Sequence, residues 1–263
     1  MWQKIRSNPK RVVFRGARQF WFCRRFIKQA HLPDRGDPFG LLFASVGHGK
    51  HFFRRIAAVG MFMGAVNYGL LYVNTPLFMR AVLLILAELL IIGALMYDGF
   101  MDTSDGVFSA RSRERMLEIM KDSHVGSNAV IALVCLVLLK IAAYTSIDGM
   151  KLCYALVAMY VATRTFMVNY IVNFKYARET GIGHMFTQYS KSSYVYIAFA
   201  ICLALVYACG LPYLYTAFVA FFISLGIAHF LSGQLGGLTG DTYGFLTECG
   251  HVVYLLAAVY LLR

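Results

Sequence analysis

Aspartates recur at Asp98, Asp102 and Asp105, an i, i+4, i+7 pattern that puts all three carboxylates on one face of a helix. Like charges repel there, so the pattern calls for a cation. Hard carboxylate oxygens suit Mg²⁺ or Mn²⁺. The next segment runs from Ser109 to Asp122 and carries Arg111, Arg115, Glu118 and Asp122 at i, i+4, i+7 and i+11. A continuous helix would make these one polar stripe beside Met116, Ile119 and Met120, lying at an interface over the first acidic cluster. Five carboxylates with interspersed arginines suit phosphoryl transfer. A metal held by Asp98, Asp102, Asp105, Glu118 and Asp122 would bridge phosphate oxygens. Arg111 and Arg115 would hold phosphates in bidentate fashion. Asp122 or Glu118 would take the proton from an attacking hydroxyl. The rival reading of both segments is a solvated, internally ion-paired helix.

A third polar segment, Gly236-Gly237-Leu238-Thr239-Gly240-Asp241-Thr242-Tyr243-Gly244, permits close backbone approach to a ligand at Gly240 and adds the carboxylate of Asp241. Lys175, Arg178, Gly181 and Gly183 form a fourth polar loop. Arg164 stands inside an apolar run, where an arginine is costly without a phosphate or carboxylate partner. His124 and His184 border the motif loops.

These motifs sit in a chain that is otherwise apolar. Of 263 residues, 59% are hydrophobic and 14% charged, and the mean hydropathy is +0.60. Ordinary soluble domains have about 25% charged residues, so the composition reads as a polytopic, all-α integral membrane protein. Apolar runs at 57–75, 80–97, 128–147, 151–173, 194–211, 213–231 and 249–262 predict seven transmembrane helices. Residues 1–55 carry thirteen Lys/Arg against Asp34 and Asp37, so most of the net +12 lies there. This reads as a basic cytoplasmic segment ahead of a membrane domain over 56–263. It lacks the apolar stretch of a cleavable signal, and an embedded remainder argues against nucleic acid as partner. The six cysteines form no CxxC pair, disulfide framework or zinc pattern.

With the N-terminus in the cytoplasm, the inner connections 98–127, 174–193 and 232–248 hold Arg111, Arg113, Arg115, Lys121, Lys175, Arg178 and Lys191. The outer side keeps Arg80, Lys151 and Arg263. That is the positive-inside asymmetry. Every polar motif then falls at the cytoplasmic face of the inner membrane. Within the spans, Lys140 and Arg164 are the interior cations and Glu88 the one acid, too little for a polar path through the bilayer.

The segments DGFMDTSDGVFSARSRERMLEIMKDSHVGS (98–127), KYARETGIGHMF (175–186) and GGLTGDTYG (236–244) resemble those of the cobalamin synthase family, the adenosylcobinamide-GDP ribazoletransferases. The resemblance extends more loosely from Arg55 through the last span. It implies an Mg²⁺-dependent membrane enzyme of vitamin B12 biosynthesis. Such an enzyme joins adenosylcobinamide-GDP to α-ribazole or its 5′-phosphate. It yields adenosylcobalamin or its 5′-phosphate, and GMP. The ribazole hydroxyl would attack the phosphorus on the corrinoid side. Phosphate contacts would fall to Arg111, Arg115, Arg164, Arg178, Gly240 and Asp241. The chain departs from the family at Met96, where a histidine is usual, at Ser232-Gly233, where a basic pair is usual, and at His251, where an acid is usual.

More distantly, Asp102, Asp105-Gly106, Ala110-Arg111, Glu118 and Asp122 resemble the motif of the CDP-alcohol phosphotransferases, with unequal gaps. That analogy makes Asp122 the base. A lipid-directed phosphotransferase, a corrinoid transporter and a non-catalytic scaffold are the competing functions, and homo-oligomerisation is left open.

Overall fold

A computed structural model describes residues 49–178 and 192–262, all belonging to the unit that runs from Leu42 to Arg263. Residues 1–48, most of the expected basic segment, lie outside the described residues, as do Gly181, Gly183 and His184. Among the described residues the structure is helical: α1 (Gly49–Tyr72), α2 (Leu77–Ile92), α3 (Leu95–Phe108), α4 (Arg113–Ile119), α5 (Ser127–Ser146), α6 (Gly149–Asn173), α7 (Ser192–Cys209), α8 (Leu211–Leu235) and α9 (Gly240–Leu261).

Four of these, α5, α6, α8 and α9, are long and apolar enough to cross a membrane, or five if α2 and α3 together count as one broken span. The expected run 80–97 is therefore not one straight span. It breaks at Gly93, which adopts φ +79°, and the chain bends by 98° into α3. A left-handed φ costs glycine little, which is why the break falls there. The last helix corrects the sequence-based expectation in the other direction. It starts at Gly240 rather than 249, because Thr239 and Thr242 close a capping box.

α6 is the axis of the bundle, buried along most of its length and packed by α1, α7, α8 and α9. Its start is capped by Asp148, whose side chain accepts from the Met150 N–H at 3.0 Å. Gly60 and Gly64 of α1 seat the two backbones closely; a Cβ on Gly60 would lie 2.9 Å from the Val157 carbonyl oxygen. Small residues four apart are the usual means of bringing membrane helices together. α5 instead exposes Val130, Ile131, Val134 and Leu138, an outward apolar face suited to lipid.

Two sets of contacts define the ends of the bundle. At one end the Lys151 ammonium donates to the Leu262 carbonyl (2.6 Å), and Asn67 of α1 to that of Gly149 (2.8 Å). At the other end the connections 109–126, 174–178 and 236–239 meet, bringing the described parts of the three motifs together.

The crossing of α3 and α9 builds that end. Gly99 faces the backbone of Asp241, and Gly244 faces that of Met96, while Phe100 stacks on Phe245 at 5.0 Å. A Cβ on Gly99 would stand 2.7 Å from the Asp241 carbonyl oxygen. Gly99→Ala is therefore expected to push the helices apart at a cost of about 1–3 kcal/mol. A lowered midpoint in thermal unfolding of detergent-purified protein checks this. An unchanged midpoint would show that the crossing relaxes freely.

Candidate active site

α3 presents Asp98, Asp102 and Asp105 along one face, as the spacing predicts. All three line a cavity of about 280 Å³ together with Lys121, Asp122 and His124 from the 120–125 connection. Among the described residues, Asp98 and Asp102 make no hydrogen bond or ion pair. Their oxygens are left to the cavity.

Asp105 is differently placed. One of its oxygens accepts from the Gly126 N–H (2.6 Å) and the other from the Ala129 N–H (2.8 Å). These are orphan donors at the start of α5, so Asp105 caps a helix from well outside it in the chain. Gly126 makes room for it, since a Cβ there would overlap the carboxylate.

Asp122 closes a local turn. It accepts from the His124 N–H at 3.1 Å and sits 2.6 Å from His124 Nδ1. The histidine holds the Asp122 carboxyl below its ordinary range, and the carboxylate raises the imidazole in turn.

Asp241 lies in the first turn of α9, where an acid complements the helix dipole. It is ion-paired with Arg178 at 3.0 Å. The glycine-rich segment is a tight joint between two spans. Gly236 ends α8 at φ +69°, and Gly237 follows at φ +141°. Leu238 then bonds both ways with the neighbouring loop. Its N–H donates to the Lys175 carbonyl and its carbonyl accepts from the Ala177 N–H, each at 2.8 Å. Arg113 Nε donates to the Leu235 carbonyl at 2.8 Å and locks the same corner.

The expected stripe over Arg111, Arg115, Glu118 and Asp122 does not form. Ala110 takes φ +51°, Ser112 is extended, and α4 covers only Arg113–Ile119. Arg111 therefore precedes the helix and Asp122 follows it. Glu118 pairs with Arg115 at 2.8 Å on an exposed surface, outside the residues that line the cavity. Arg164 is buried behind the site, its guanidinium 3.7 Å from Met96 Sδ. Gly240 opens α9, and a side chain there would meet open space.

The family model described as cobalamin-5-phosphate synthase matches residues 44–259, a span that contains every one of these site residues. The chain belongs to that family. It is also 38% identical over 194 residues to the adenosylcobinamide-GDP ribazoletransferase of Desulforamulus reducens, a match covering 72% of this chain and 78% of the relative. No solved structure matches.

This member of the family holds a further polar cluster that the sequence pattern did not reveal. Glu248 belongs to the interior of α9, so Glu88 is not the sole acid within the spans. Lys140 Nζ donates to Glu248 Oε2 (2.6 Å), Glu88 Oε2 (2.9 Å) and the Tyr97 hydroxyl (2.9 Å). Tyr97 donates to Glu88 at 3.1 Å, and His251 Nδ1 stands 3.3 Å from Glu88 Oε1. Lys140, Glu88, Glu248 and His251 are fully buried. Glu88, Glu248 and His251 are grouped closely enough to hold a metal ion, but the Lys140 ammonium already lies between the two carboxylates. The cluster carries its own cation and ties α2, α3, α5 and α9 together. Tyr97 precedes Asp98, so the cluster also sets the rotation of the acidic face. Gly240, Gly244 and Gly250 interrupt the stretch between Thr239 and His251, so hydropathy placed the start of the last span at 249 and left Glu248 outside it.

Proposed function

We propose that the chain joins adenosylcobinamide-GDP to α-ribazole or its 5′-phosphate, forming adenosylcobalamin or its 5′-phosphate and releasing GMP. The observation that carries this reading is the cavity in which Asp98, Asp102, Asp105 and Asp122 converge beside the Arg178–Asp241 pair. The ribazole hydroxyl oxygen forms the new bond to the phosphorus on the corrinoid side. The bond from that phosphorus to the bridging oxygen breaks, and GMP departs with the oxygen. Asp122 takes the hydroxyl proton, with His124 holding the carboxylate in place. Arg178 and Lys175 orient phosphate groups from the neighbouring loop.

An all-oxygen donor set with two uncommitted carboxylates fits Mg²⁺. Asp98 and Asp102 would hold it, with the outward lone pairs of Asp105 and with Asp122 beside them; Glu118 contributes only after rearrangement of α4. When bound, such an ion neutralises charge on the phosphates.

We read the membrane domain as seven spans with the N-terminus in the cytoplasm and the site on the cytoplasmic face of the inner membrane. Arg111, Arg113, Arg115, Lys121, Lys175 and Arg178 all lie in the connections at the site's end, the distribution that favours the cytoplasmic side. The two substrates are water-soluble, so a site open to the cytosol suffices.

The test is GMP release by detergent-solubilised protein given adenosylcobinamide-GDP, α-ribazole and Mg²⁺. Release is expected to require all three, and to fall about 10²–10⁴-fold in Asp122→Asn. An Asp122→Asn enzyme with full turnover would remove the base assignment. No release from the parent protein would overturn the reaction.

A further inference from the structure

The acidic face is carried by a helix with a weak local start. Ahead of α3 the chain bends by 98°, and a Cβ on Gly93 at the bend would meet nothing within 4 Å. Ala94 precedes the helix and gives it no side-chain cap. The first turn of α3 therefore takes its direction from tertiary contacts, and Asp98 belongs to that turn.

Among the described residues, two side chains of that turn make polar contacts. Met96 offers its thioether to Arg164 at 3.7 Å, a weak acceptor at long range. Tyr97 makes two bonds through one oxygen. Its hydroxyl donates to Glu88 Oε2 at 3.1 Å and accepts from Lys140 Nζ at 2.9 Å, and both partners are fully buried. The apolar crossing with α9, through Gly99, Gly244 and the Phe100–Phe245 stack, sets how close the two helices lie. Apolar contact is non-directional, whereas a hydrogen bond weakens steeply off its axis. Tyr97 and Asp98 are neighbours, so they point about 100° apart around the helix. Holding the phenol inward turns Asp98 to the cavity it lines.

Lys140 extends this fastening. It belongs to α5, and its bond to Glu248 Oε2 at 2.6 Å reaches α9. α5 starts at the N–H groups that Asp105 caps, and Asp241 lies in the first turn of α9. One buried ammonium thus joins the three helices whose ends meet at the acidic site.

Resting on the cation-binding reading of the acidic face given above, we propose that Tyr97 is a positioning residue: its hydroxyl, held between Glu88 and Lys140, aims Asp98 at the cation. Tyr97→Phe removes the hydroxyl and keeps the ring. Lys140 retains both carboxylates, so the buried charges stay paired. The experiment titrates the full chain in detergent with Mn²⁺ and follows the free ion by electron paramagnetic resonance. Tyr97→Phe is expected to weaken Mn²⁺ binding about tenfold, the usual loss when a group supporting a metal ligand is removed. The Mg²⁺ needed for half-maximal GMP release should rise by a similar factor, with the KM for α-ribazole near the parent's. Saturating Mg²⁺ should restore most of the turnover, which a general folding defect would not allow.

Tyr160→Phe is the control. Tyr160 is fully buried on α6, edge-on to His251 at 4.9 Å, and its hydroxyl has no hydrogen bond among the described residues. That variant takes a phenol from beside the same cluster without touching α3, and should bind Mn²⁺ like the parent. In an Asp98→Asn background, Tyr97→Phe should change Mn²⁺ binding little, because the residue it positions is already gone. Unchanged Mn²⁺ affinity in Tyr97→Phe would overturn the proposal. So would equal weakening in Tyr160→Phe, or a full tenfold loss in the Asp98→Asn background. A parent that binds no Mn²⁺ would overturn the cation-binding reading and this proposal with it. A parent that binds Mn²⁺ but releases no GMP would overturn the reaction alone, since the binding measurement needs no turnover.

Discussion

Lys140→Met is expected to cost the protein about 3–5 kcal/mol of folded stability, the loss that follows when one partner is taken from a buried ion pair. Lys140 is fully buried and bonds Glu248, Glu88 and Tyr97 at once. Methionine fills a similar volume but leaves two carboxylates facing each other in an apolar interior. A typical domain has only about 5–15 kcal/mol to lose, so much of the purified variant should be unfolded or aggregated. Denaturant titration of detergent-purified protein reads the loss. Lys140→Met combined with Glu248→Gln removes one of the stranded charges and should recover part of it. A single variant as stable as the parent would show that the carboxylates accept protons at little cost and that the ion pairs contribute nothing.

Asp102→Asn is expected to lower turnover by about a thousandfold or more, equivalent to about 4 kcal/mol of transition-state stabilisation, with little change in unfolding midpoint. Its carboxylate lies in the middle of the acidic face, lines the cavity and makes no hydrogen bond or ion pair among the described residues. The neutral amide removes a charge without removing a structural bond. Asp105→Asn makes the contrast. Both oxygens of Asp105 accept backbone N–H groups, and an amide nitrogen in place of one oxygen would face a donor with a donor. That variant should lose about 1 kcal/mol of stability as well as activity. Steady-state GMP release and thermal unfolding, measured on both variants, separate the roles. Equal losses of stability in the two would refute the assignment of Asp105 as the cap and Asp102 as the free ligand.

Much of this site was legible without a fold. The i, i+4, i+7 spacing of Asp98, Asp102 and Asp105 depends only on the 3.6-residue turn, and α3 bears it out. The apolar composition required helices in a membrane, because backbone polar groups have no partner in lipid outside a helix or a closed barrel. The family itself was legible from three short motifs in order.

The rest depended on contacts that local pattern does not encode. The stripe from Arg111 to Asp122 obeyed helical spacing and failed, because Ala110 and Ser112 leave the helical region and turn α4 into two turns locked to the end of α8 by Arg113. The apolar run 80–97 was continuous in hydropathy yet breaks at Gly93, where no side chain opposes a left-handed φ. Glu248 looked like part of a loop until the Thr239–Thr242 capping box extended α9 and carried it into the core. Asp105 and Gly126 are 21 residues apart, and Lys140 and Glu248 are 108 apart. Composition and short motifs were enough for a helical membrane enzyme of known family with a carboxylate-rich end. Which carboxylates face the cavity, which one caps a helix and which are neutralised in the interior became visible only in the packed bundle. The reason is physical: helical period and hydropathy act within a turn or two, whereas the partner of a buried charge is chosen by the packing of helices far apart in the chain.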